Sequence, residues 1–148
     1  MAIGTFNERI AVAVAQATAR FPDARLHVAV ASASTGPTTT PMALDRLKAL
    51  FRTADGTVLV LEETGYGEFG PLRRPDPPPS LPPPIDWPVE MGLAEADNLK
   101  EDAAWIDPYL SVTLRTGSGG GPEFVFAGPH GPEVIVDVRS GAVREAAR

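Results

Sequence analysis

Along this chain the spacing of apolar and polar residues changes several times, and each change predicts an element. Thr5, Phe6, Asn7 and Glu8 have the spacing of a capping box, in which the Thr hydroxyl and the Glu carboxylate satisfy free N–H groups at a helix start. Ile10, Val14 and Ala17 then share one helical face, and Phe21-Pro22-Asp23 stops the pattern, so a helix is expected over residues 6–20. The alternation of Ile10, Val12 and Val14 leaves a strand open, but alanine-rich sequence favours helix. Residues 25–32 set Leu26, Val28 and Val30 against His27, Ala29 and Ala31, the period of a half-buried strand. Turn formers fill 35–41, and Thr40-Pro41 reads as the cap and first position of a second helix over 42–52, with Leu44, Leu47 and Phe51 on one face. Asp55-Gly56 turns into 57–63, where the unbroken Val58-Leu59-Val60-Leu61 predicts a strand covered on both faces.

Periodicity is lost from residue 65 to 88. The prolines between Pro71 and Pro84 exclude helix and inner strand, because proline lacks the N–H donor, and predict a polyproline II connector. Beyond it, Leu93, Ala96, Leu99 or Lys100, and Ala103 recur at helical spacing over 92–105, with Glu95, Asp97, Glu101 and Asp102 on the wet side. Three alternating segments follow, 109–116, 123–127 and 133–138, joined by the turn-rich runs 117–121 and 128–132. The fold expected is α+β: an N-terminal αβαβ lobe (1–70), a proline-rich connector (71–88), and a C-terminal helix with a three-stranded antiparallel meander (89–148), the lobes packing as one unit. Residues 26–32 and 110–116 echo each other, over too short a span to define a repeat.

Composition narrows the function classes. A chain of 148 residues with 43% hydrophobic side chains can bury a core. A net charge of −6 with scattered cations, Arg73-Arg74 being the only adjacent pair, argues against nonspecific nucleic-acid binding. The absence of cysteine removes disulfides, thiol nucleophiles and thiolate metal sites. The longest N-terminal apolar run, 10–15, is too short to span a membrane and is wrongly flanked for a secretory signal, so a cytoplasmic address is expected. Eleven Arg against two Lys, with abundant Ala, Gly and Pro, reads as a GC-rich bacterial coding sequence.

The run Val134-Ile135-Val136-Asp137-Val138-Arg139-Ser140-Gly141-Ala142-Val143, after a helix and short strands, resembles the end of a PepSY domain over roughly residues 91–146. The resemblance implies a noncatalytic binding fold, found mostly in extracytoplasmic or membrane-attached proteins and linked to protease propeptides. This chain departs from that pattern in its expected address and in its N-terminal half.

No motif announces catalysis. The glycine run 117–121 lacks the Lys-Ser/Thr ending of a P-loop, and no Gly-x-Ser-x-Gly elbow is present. His27 and His130 have no second ligand at metal spacing, so no metal or other cofactor is expected. The binding candidates are Tyr66, Glu68 and Phe69 in the glycine-spaced loop 65–70, Arg73 and Arg74 in the connector, and Trp87 at its end. These point to a noncatalytic interaction or regulatory protein of a bacterial cytoplasm: an accessory subunit, regulator or immunity-type protein with another protein as partner, neither nucleic acid nor membrane, and a homo-oligomer left open. The alternative is a small hydrolase or isomerase using the carboxylates of Glu62, Glu63 and Glu68.

Overall fold

The computed structural model describes residues 5–146. Eight antiparallel strands form one sheet: β1 (Arg25–Ser32), β2 (Arg46–Arg52), β3 (Val58–Gly65), β4 (Glu68–Phe69), β5 (Ser111–Thr116), β6 (Pro122–Ala127), β7 (Val134–Asp137) and β8 (Val143–Glu145), in the order β4-β3-β2-β1-β5-β6-β7-β8. Helices α1 (Phe6–Arg20) and α2 (Leu93–Asp102) each precede one four-strand meander. The two meanders join along β1 and β5, where Ala29 faces Leu114 and Ala31 faces Val112, all four without solvent exposure.

This corrects the expected fold class. The αβαβ lobe beside a separate helix and three-stranded meander is replaced by a single sheet with two helices. The error begins at residues 42–52, where the predicted helix is one 3-10 turn, Pro41–Ala43, followed by strand β2. Leu44, Leu47 and Phe51 do have helical spacing, but Leu44 anchors the loop, while Leu47, Ala49 and Phe51 alternate inward against Arg46, Lys48 and Arg52. Pairing on both sides, with β1 and with β3, overrides the intrinsic helix preference of the Arg, Leu, Lys and Ala residues. At the other end the C-terminal meander has a fourth strand, β8.

Strand β1 carries a bulge at His27 that lets Leu26 and Ala29 both point toward the helices. Val28 and Val30 therefore face the opposite side. The echo with residues 110–116 is offset by one position, since it sets outward Val28 against inward Val112.

Helix α1 starts at the Thr5–Glu8 capping box and buries Phe6, Ile10, Ala13 and Ala17, with Phe6 edge-on to Phe124 of β6. One core under both helices thus includes side chains from the two halves. The connector is tied in at several points. Arg73 exchanges backbone hydrogen bonds with Val60 at the sheet edge, Pro82 C=O meets the His27 ring at 2.7 Å, Pro84 C=O accepts from Thr116, and Ile85 N–H donates to Leu26. Leu50, Val58 and Val60 point away from the helices yet are buried, in the part of the sheet between the Arg73 and Pro82 anchor points. No described helix is long and apolar enough to cross a membrane.

Candidate functional site

Strands β2 and β3 pair from Arg52–Val58 up to Lys48–Glu62 and then part. Beyond that point β2 continues along β1, with Leu47 opposite Ala31 and Arg46 opposite Ser32, while β3 turns to β4. A concavity of about 610 Å³ opens at this divergence, lined by Val30, Ser32, Arg46, Lys48, Glu62 and Tyr66 among others.

The gap is filled by the Glu63 carboxylate. Its side chain is 1% exposed and accepts from Arg9 Nη2 at 2.5 Å, Arg9 Nε at 2.9 Å, Leu47 N–H at 2.8 Å and Gly67 N–H at 2.6 Å. Arg9, equally buried on α1, lies under the Tyr66 ring at 4.0 Å. A carboxylate with four donors in place has no free acceptor position to take a proton from a substrate. Glu63 therefore closes the sheet. Glu62, half-exposed on the other face, pairs with Arg73, and Glu68 is exposed in β4. The three carboxylates named by the alternative reading thus sit in three different settings rather than converging across a cleft.

The predicted binding residues are likewise dispersed. Tyr66 lines the groove but is folded back onto Arg9, and Phe69 packs against the core. Arg73 borders the groove through Glu62, whereas the Arg74 guanidinium lies 5.9 Å from the Phe21 ring. Trp87 packs against the core from the connector. The sequence reading missed Arg46 and Lys48, because it assigned them to a helix. As strand residues both point into the groove and are exposed. Glu62, directly across from Lys48, engages Arg73 instead, and Asp45 accepts from Ser34 N–H at 2.9 Å and Ser34 Oγ at 2.5 Å, which holds its pKa below the usual carboxylate range. Among the described residues, neither Arg46 nor Lys48 has an ion-pair partner within 4.0 Å.

A second polar cluster lies under the last turn of α2. Lys100 is 3% exposed, donates to Trp105 C=O at 2.5 Å and sits 5.4 Å from the Tyr109 and Phe126 rings. Asp97 and the Tyr109 hydroxyl face each other there without a hydrogen bond of good geometry. Burial, and then the charge of Glu101, raises the Asp97 pKa; burial, and then Asp97, raises that of Tyr109. The adjoining cavity is only about 30 Å³, room for about one water. Among the described residues no three His, Asp or Glu side chains group as metal ligands. Comparison with protein-family models, curated protein sequences and solved structures gave no match.

Proposed function

We propose that this chain is a noncatalytic protein-binding module, an accessory or regulatory protein whose contact surface is the groove on the helix-free face where β2 and β3 part. The observation that carries this reading is the contrast inside the groove. Its most buried carboxylate is saturated by structural donors, while Arg46 and Lys48 stand exposed and unpaired beside a floor of small, uncharged side chains. Val30 and Ser32 on β1 continue across the seam into Thr113 and Ser111 on β5, an uncharged strip flanked by cations. Such a surface offers shape and charge to a partner without presenting an acid–base pair to a substrate.

The test is retrieval of a stoichiometric partner from the native host by the wild-type chain and by Val30→Trp. Val30 points outward and is half-buried, so an uncharged indole there obstructs the groove floor while leaving the core intact. The expected outcome is loss of the partner with an unchanged melting temperature. Equal retrieval by both chains, or no stoichiometric partner with the wild type, overturns the reading.

A further inference from the structure

Charge on the helix-free face runs opposite to that of the chain. Cross-strand partners share a face, so the pairs Arg25–Arg52, Ser32–Arg46, Val30–Lys48, Val28–Arg115 and Ile135–Arg144 all place their cations on the side away from the helices, as does Arg73 beside Val60. Glu62, Glu68, Glu123 and Asp137 answer them from the strands of that face, and Asp45 from the rim of the groove. At strand-paired positions among the described residues that face therefore carries seven Lys and Arg side chains against four acidic ones, in a chain of net charge −6 with 19 acidic residues to 13 basic. Four of the seven lie outside any ion pair among the described residues, and two of these four, Arg46 and Lys48, stand in the groove.

We propose that the groove takes an extended acidic segment of the partner protein, with carboxylates at alternate positions held by Arg46 and Lys48; this deepens, and rests on, the reading of the groove as a protein-binding surface. The two cations are two residues apart on one strand face, about 7 Å, which is the spacing of side chains i and i+2 on an extended partner. Between them and the β5 seam the surface is made of Val30, Ser32, Ser111 and Thr113, small enough for a second backbone to approach closely. Tyr66 bounds the other side with its ring fixed over Arg9. The acidic remainder of the molecule repels a long polyanion, whereas a short acidic segment lies against Arg46 and Lys48, the nearby Glu62 and Glu63 being neutralised by Arg73 and Arg9. These features favour a peptide over a nucleic acid.

The chain itself provides a site-specific reporter. It has two lysines, and Lys100 is buried, so Lys48 is the exposed one. Zero-length carbodiimide coupling joins an ammonium to a carboxylate in contact with it. In the captured complex it should join Lys48 to an Asp or Glu of the partner, within a stretch carrying a second acidic residue two positions away. Arg46→Glu/Lys48→Glu should weaken capture at least about tenfold, and raising the salt should weaken the wild-type complex in the same direction. Arg46→Gln/Lys48→Gln should give an intermediate loss at the wild-type melting temperature, whereas charge reversal sets two carboxylates opposite each other at the Lys48–Glu62 pair and should lower the melting temperature slightly.

A partner that Val30→Trp loses, but that charge reversal and salt leave unaffected and that never couples through Lys48, overturns the acidic segment and leaves the groove standing. A partner retained by Val30→Trp overturns both, as does the absence of any stoichiometric partner. Release of the captured partner by an equimolar thymidine oligonucleotide, or coupling of Lys48 to a second copy of this chain, also overturns the assignment.

Discussion

At the scale of single residues, Arg9 and Glu63 link α1 to the point where the sheet opens. Each is about 1% exposed, and the two Arg9 hydrogen bonds supply half of the donors around Glu63. Removing one member of a buried pair strands the other charge, at a cost of about 3–5 kcal/mol. Arg9→Met should therefore destabilise the protein by about that much in urea unfolding. The double variant Arg9→Met/Glu63→Leu should recover part of the loss, because no lone charge remains. It should still fall short of wild type, since the Leu47 and Gly67 amides lose their acceptor and an unpaired buried donor costs about 1–3 kcal/mol. A double variant as stable as wild type would show that the carboxylate's backbone bonds contribute nothing. None of this was legible in the sequence, where Glu62-Glu63 is an acidic pair at a strand end. Which of them turns inward depends on the register of β3 against β2 and on an arginine 54 positions away.

At the scale of elements, the ends of α2 show what local sequence can specify. The start near Gly92 was readable, but the predicted helix ran to Trp105, three residues past its end at Asp102. The stop is a C-terminal motif with Trp105 N–H on Lys100 C=O and Ala104 N–H on Glu101 C=O, in which the reversing residue has φ +73°. Glycine usually occupies that position, and its absence hid the stop. Ala104 is the non-glycine residue with positive φ among the described residues, and L side chains pay a steric penalty there. Ala104→Gly should stabilise the protein by roughly 1 kcal/mol, less the added freedom of glycine in the unfolded chain. A fall in thermal midpoint would mean that the exposed Ala104 side chain contributes more than its backbone strain costs. The same limit applies to β2, whose Leu, Ala and Phe positions fit a helix or a strand until the neighbouring strands are known. By contrast, Val58–Leu61 could be read without that context, because an unbroken apolar run requires cover on both faces, and all four side chains are buried.

At the scale of the molecule, the decisive contact is the one the sequence showed least: the pairing of β1 with β5, about 85 residues apart, which converts two meanders into one sheet. Alternation identifies both segments as strands but does not say that they pair with each other, and the proline connector between them suggested a division instead. Cutting the molecule at the connector would expose a strand edge on each half and open the shared core that Phe6 and Phe124 close. The protein should therefore unfold in one cooperative transition. Trp87 in the connector and Trp105 after α2 allow a direct test, because both pack against the core. Trp87→Phe and Trp105→Phe variants, each leaving one indole, should give fluorescence midpoints in urea that coincide with the loss of far-ultraviolet ellipticity. Leu114, fully buried on β5 opposite Ala29, is the side chain with which to weaken the seam. Leu114→Ala should cost about 2–5 kcal/mol and should move both indole midpoints down together, with faster amide exchange in β1 as well as β5. Separate midpoints, or faster exchange confined to residues 89–146, would mean that the two meanders are independent modules that only share a boundary.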